Sequence, residues 1–124
     1  MQATYTESAP EPVGPYSQGM VSGKLFYSSG QIGINPETLL LKEWGIIGQT
    51  TQVCENIKAV LESAGLTLKN VIKTNIYISD IRDYDAVNHV YKDYFTHKPA
   101  RSCVAVAALP SNALVEIEII AEIN

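Results

Sequence analysis

Basic, sulphur-bearing and imidazole side chains are scarce in this chain of 124 residues. It has nine Lys and Arg, only two of them arginines, with two cysteines and two histidines. A net charge of −4 leaves no basic footprint, so electrostatic binding to nucleic acid is disfavoured. Cys54 and Cys103 have no metal-ligand spacing, and free thiols in a cytoplasmic compartment are the default. His89 and His97 stand eight apart in a stretch read as helical, with no second ligand in register, so solvated or capping roles are expected rather than a metal site. No apolar run is long enough to span a bilayer, and Met1-Gln2-Ala3-Thr4 has the marks of no signal peptide, so neither membrane insertion nor a cleaved leader is expected. Without a GxSxG elbow around its serines, a nucleophilic serine hydrolase is disfavoured. Nothing reads as a repeat, a low-complexity tract or an interdomain linker. At this length the expectation is one domain, residues 1–124, with a single two-layer core.

What is present is periodic. Leu25 to Ser29 reads as a strand, paired through a turn at Ser22-Gly23-Lys24 with Tyr16 to Val21. The strand continues through Gly30-Gln31-Ile32-Gly33, where two glycines predict a bulge or a close backbone approach. From Ile46 to Ala64, residues Thr50, Val53, Ile57, Val60, Leu61 and Ala64 recur at helical spacing, and Gly65 follows as a left-handed stop. Val71 to Ile78 alternates, with Ile72, Thr74, Ile76 and Ile78 expected on one face. A second helix, capped by Asp80 or Asp83, carries Tyr84, Val87, Tyr91, Tyr94 and Phe95 as its stripe. Strands over 101–107 and 113–123 complete an α+β domain, a mixed sheet with two helices packed on one face.

In the last strand Val115, Ile117, Ile119, Ala121 and Ile123 share the helix side. Glu116, Glu118, Ile120 and Glu122 share the other, joined by Lys73, Asn75 and Tyr77. From the strand after Pro99, either Arg101, Cys103, Ala105 and Ala107 or Ser102, Val104 and Val106 would face the same way. A half-polar sheet face with no helix to cover it points to burial against another copy of the chain.

Arg101 opens an otherwise uncharged strand, Pro99-Ala100-Arg101-Ser102-Cys103-Val104. A guanidinium there must be solvated, paired with a carboxylate, or reserved for an anion, because burying it alone is costly. Among Glu116, Glu118 and Glu122 the pattern does not choose; one that is partly desolvated would suit activation of a water. Ser28-Ser29-Gly30-Gln31 reads as an ordinary strand-end turn before it reads as an anion nest. Cys103 defaults to a structural thiol, Asn88 and Tyr91 to helix packing, and Tyr16 to a loop anchor.

Several segments together, in order and spacing, resemble the RidA/YjgF family of reactive-intermediate deaminases. They are Gly14-Pro15-Tyr16-Ser17-Gln18, Ser29-Gly30-Gln31-Ile32, Gln49-Thr50 with Asn56-Ile57 and Ala64-Gly65, Val87-Asn88 with Tyr91, Pro99 to Val104, Leu109-Pro110 and Val115-Glu116-Ile117-Glu118. The resemblance runs from about Ala9 to the C-terminus. It implies a chorismate-mutase-like fold and a homotrimer with clefts between subunits. It also implies cofactor-free hydrolysis of 2-imino acids and their enamine tautomers, such as 2-aminoacrylate. By the same resemblance Arg101 clamps the substrate carboxylate, helped by the backbone at Cys103. Glu116 holds the attacking water, and Tyr16, Ser29, Gly30 and Asn88 line the cleft. The chain departs from the family pattern at Leu39-Leu40-Leu41, where a glycine is usual, which bears on loop shape and substrate breadth. The competing expectation is a non-catalytic binder of small carboxylates using the same cleft. RNA cleavage, suggested for some relatives, fits poorly with the net charge.

Overall fold

Strict alternation along β7 (Val115–Glu122) organises the molecule: Val115, Ile117, Ile119 and Ala121 are buried, while the residues between them are not. The computed structural model describes residues 1–124. The other strands are β1 (Gln2–Thr4), β2 (Gly19–Ser22), β3 (Leu25–Ser28), β4 (Gln31–Ile32), β5 (Val71–Ile78) and β6 (Ala100–Ala105). They form one sheet ordered β1-β2-β3-β7-β5-β6, with β4 following β3 along β7. Every pairing is antiparallel except β5 with β6. Helix α1 (Gly45–Glu62) and helix α2 (Tyr84–Tyr94, between β5 and β6) pack on one face of that sheet, as the periodicity predicts.

Helix α1 buries Val53, Ile57, Val60 and Leu61, and α2 buries Val87, Tyr91 and, just beyond its end, Phe95. Each such aliphatic side chain stabilises the fold by about 1.5–3 kcal/mol relative to exposure. Gly65, at φ 74, stops α1: its N–H donates to the Glu62 carbonyl and that of Leu66 to Leu61, both at 2.9–3.0 Å. Asp80 caps the turn before α2, accepting from the Arg82 N–H at 2.9 Å. Leu39 has φ 62, the left-handed conformation that a glycine adopts without strain, and lies 64% exposed in a loop with Leu40.

Four expectations need correction. In β5 the register slips between Val71 and Lys73, so Val71 takes the core position and Ile72 turns outward, 44% exposed. The bulge's extra residue shifts the alternation. His97 lies beyond α2 and meets the Val71 carbonyl at 2.8 Å; it is not a helical residue. Tyr84 is exposed rather than part of the buried stripe. The N-terminal residues, not read as a strand, pair as β1 with β2.

Candidate functional site

Strand β6 lies at the sheet edge and runs parallel to β5, pairing Arg101 with Thr74 and Cys103 with Ile76. Thr74 and Ile76 are wholly buried on the helix side, so Arg101 and Cys103 face that side. The Ser102–Val104 set therefore joins the open face. The Arg101 side chain rises against α2, where Nη2 donates to Asn88 Oδ1 at 2.6 Å and to the Tyr84 hydroxyl at 3.1 Å. Its guanidinium carbon lies 4.9 Å from the Tyr91 ring centre and 5.5 Å from that of Tyr84. Tyr91 is fixed in turn by a 2.8 Å hydrogen bond with Thr74 and by stacking on Phe95, centroids 4.5 Å apart. Nε and Nη1 have no partner, and no carboxylate pairs with Arg101; the chain's ion pair, Arg82–Asp80 at 2.6 Å, lies elsewhere. The guanidinium looks into a hollow of about 360 Å³ lined by Asn88, Lys92, Thr96 and Lys98, with no acidic residue. Burial pushes the Cys103 thiol up, opposed in part by Arg101, so it is a neutral wall rather than a nucleophile. Val106 N–H donates to the Ile78 carbonyl at 2.8 Å, so by alternation the Cys103 N–H points out from the sheet edge.

Glu116 projects from the opposite face of the sheet, beside Ile32 on one strand and Tyr77 on the other. Between β3 and β4 one extra residue is inserted, because Tyr27 pairs with Ile120 but Gln31 with Ile117. The predicted bulge is therefore present, and Ser28 Oγ accepts from the Ile119 N–H at 3.0 Å within it. The predicted close approach is present too. A Cβ on Gly30 would stand 2.7 Å from Glu116 Cδ and Oε2, so only glycine lets the carboxylate lie on this backbone. Burial, and then the negative charge of Glu118, push the Glu116 carboxyl above its usual range. Glu116 accepts no hydrogen bond within the chain. Glu118 is held by the Tyr77 hydroxyl at 2.7 Å and by Asn75 Nδ2 at 3.3 Å, and Glu122 is exposed. Geometry thus singles out the one free, half-buried carboxylate among three.

The small hollow beside Glu116, about 120 Å³, is lined by Tyr16, Gly30, Ile32 and Pro110. Tyr16 is 47% exposed, its hydroxyl accepting from Val13 N–H at 3.4 Å. Ser29 commits its hydroxyl to the Ser17 carbonyl at 2.6 Å and its N–H to Gln18 at 3.0 Å, which leaves the Gly30 N–H as that segment's unpaired donor.

Two groups of residues result. Arg101, Asn88 and Cys103 gather on the helix side at the β6 edge, while Glu116, Gly30, Tyr16 and Ser29 gather on or beside the open face. Within one chain the two groups do not meet. Sequence reasoning missed Tyr84 as a partner of Arg101 and took Tyr91 for packing alone. Their spacing with Asn88, four and then three residues along α2, was the available signal. A larger hollow of about 440 Å³ along α1 holds none of these groups, and its buried Asn56 is satisfied by the Ile32 and Ile34 carbonyls. No three His, Cys, Asp or Glu side chains are placed to hold a metal ion, and no helix is long and apolar enough to cross a membrane.

This bulged sheet with its two helices belongs to a known class. Residues 6–123 match the family model described as endoribonuclease L-PSP, and the chain belongs to that family, the RidA/YjgF proteins. It is 49% identical to a RutC family protein of Aquifex aeolicus, the match covering 98% of each chain. It is 42% identical to a Salmonella typhimurium protein named 2-iminobutanoate/2-iminopropanoate deaminase, over 94% of this chain and 93% of that one. A solved Thermotoga maritima structure, described as a putative endoribonuclease, superposes with a TM-score of 0.97 at 45% identity, covering 100% of this chain and 98% of the other.

Proposed function

We infer that this protein is an enamine/imine deaminase that hydrolyses 2-imino acids and their enamine tautomers, such as 2-aminoacrylate, without a cofactor. It works as a homotrimer in which the Arg101 hollow of one subunit faces the Glu116 pocket of the next. One observation carries the reading: a guanidinium with free donors and a carboxylate with no partner stand on opposite faces of one sheet. Neither has an ionic partner within the chain, and a single ligand satisfies both when two copies bring them together. The similarity to the Salmonella deaminase supports the same chemistry.

Arg101 grips the substrate carboxylate through the free N–H groups of Nη1, with Asn88 and Tyr84 fixing the guanidinium plane through Nη2. The outward Cys103 N–H adds a donor. The protonated imine carbon is already electrophilic, so orientation and a placed water supply most of what the reaction needs. Glu116 accepts a proton as the water oxygen bonds to that carbon, forming a carbinolamine. It returns the proton to nitrogen and takes the hydroxyl proton as the C–N bond breaks, so that the 2-keto acid and ammonia are released. The two free thiols suit a cytoplasmic setting.

A binder of small carboxylates would also use Arg101, but an acid beside an anionic ligand weakens binding, and Glu116 is then unexplained. RNA, which the family model's description suggests, calls for a basic groove with stacking aromatics, at odds with a net charge of −4. The test generates 2-aminoacrylate with a dehydratase and follows pyruvate release. Wild type accelerates it, and Arg101→Ala and Glu116→Ala return it to background; wild type at the uncatalysed rate refutes the reading.

A further inference from the structure

The hollow beneath Arg101 holds more positive charge than one carboxylate uses. Lys92 and Lys98 line it with Arg101, and Lys69 Nζ donates to Thr96 Oγ1 on its wall at 2.8 Å. Three of the chain's nine basic side chains thus line one cavity of about 360 Å³, with Lys69 held against its wall, in a protein whose net charge is −4. No carboxylate lines it, so these charges are not neutralised there by the chain itself.

A second, independent feature concerns Lys98. Its φ of 54 places it in the left-handed region, which disfavours a lysine and admits a glycine freely, and it directly precedes Pro99. Backbone strain of this kind persists where the side chain or the local shape has a use. The side chain here lines the same hollow as Arg101.

We propose that the hollow formed by Arg101, Lys92 and Lys98 accepts a second carboxylate, so that the preferred substrates are dicarboxylic imino acids of the 2-iminosuccinate type. Arg101 holds the carboxylate next to the C=N group, and the two lysines hold the distal one. The chemistry is unchanged: 2-iminosuccinate and water give oxaloacetate and ammonia. This rests on the deaminase reading for its catalytic part, but not for its binding part.

Two measurements separate them. Aspartate oxidase and alanine oxidase generate 2-iminosuccinate and 2-iminopropanoate, and imine escaping hydrolysis is trapped with semicarbazide. Wild type is expected to favour the diacid, and K92A/K98G to lower the ratio of the two kcat/KM values about tenfold or more, the loss of a charge-assisted contact. Equilibrium binding of succinate and propanoate, which cannot react, gives the second readout. Wild type is expected to bind succinate about tenfold tighter, with the advantage lost in K92A/K98G. Activity towards 2-iminopropanoate alone, with equal binding of the two acids, overturns the diacid assignment and leaves the deaminase standing. Inactivity towards both imines with a retained succinate advantage overturns the deaminase and keeps the diacid hollow. Inorganic phosphate binding as tightly as succinate overturns the assignment by showing an unselective anion site.

Discussion

Replacing Arg101 by lysine preserves the charge and removes the geometry, which makes it the sharpest probe of how the guanidinium acts. The native group uses Nη2 for Asn88 at 2.6 Å and Tyr84 at 3.1 Å and lies 4.9 Å from the Tyr91 ring, with Nε and Nη1 left open. An ammonium is a point charge with no planar fork; if it reaches Asn88 it cannot also hold a second donor fixed in direction towards a carboxylate. Losing one charge-assisted bond to substrate removes about 1.5–3 kcal/mol of binding. At about 1.4 kcal/mol per decade, that is a fall of roughly ten- to a hundredfold in kcat/KM. Arg101 is only partly buried and joins no ion pair, so thermal stability should change little. Steady-state rates on 2-aminoacrylate, with a melting curve for each variant, read both quantities. Arg101→Lys within twofold of wild type would refute the argument, because a bare positive charge would then suffice.

Other outcomes follow from the Glu116 pocket. Gly30→Ala puts a methyl 2.7 Å from the Glu116 carboxylate, the movable end of a side chain; activity should therefore collapse while the melting temperature stays close to wild type. Unfolding of the variant instead would show that the glycine serves the bulge. Burial raises the folded pKa of Glu116, so its ionisation opposes folding: the penalty is absent below the ordinary carboxylate value and sets in as pH rises through the folded one. Glu116→Gln should accordingly be at least as stable as wild type at neutral pH, with the difference vanishing in acid. The acid limb of wild-type kcat/KM should lie above the ordinary glutamate value of about 4.3.

The sequence made the fold plain where chemical contrast along it was strong. Alternating isoleucines and glutamates in β7, and the helical spacing of Val53, Ile57 and Val60, each admit one reading. In β6 the residues Ala100, Ser102, Cys103 and Ala105 are all small and carry no contrast, so the side that Arg101 occupies became visible only through its register with Thr74. The β5 bulge exchanged Val71 for Ile72 because both are apolar and β-branched, and a one-residue slip leaves no trace in such a pattern. Strand β1 is three residues at the sheet edge with no alternation to read. The choice of Glu116 over Glu118 rests on Tyr77 and Asn75, which hold Glu118 from the neighbouring strand.

The proposal that one catalytic centre is assembled from two copies is tested by mixing Arg101→Ala with Glu116→Ala protein under conditions where subunits exchange. Each variant alone lacks one half of every cleft. In a one-to-one mixture about a quarter of the clefts should combine an intact Arg101 with an intact Glu116, and activity should return towards that fraction of wild type. A mixture that has exchanged, as judged by native mass spectrometry, and stays as inactive as either parent would contradict the account.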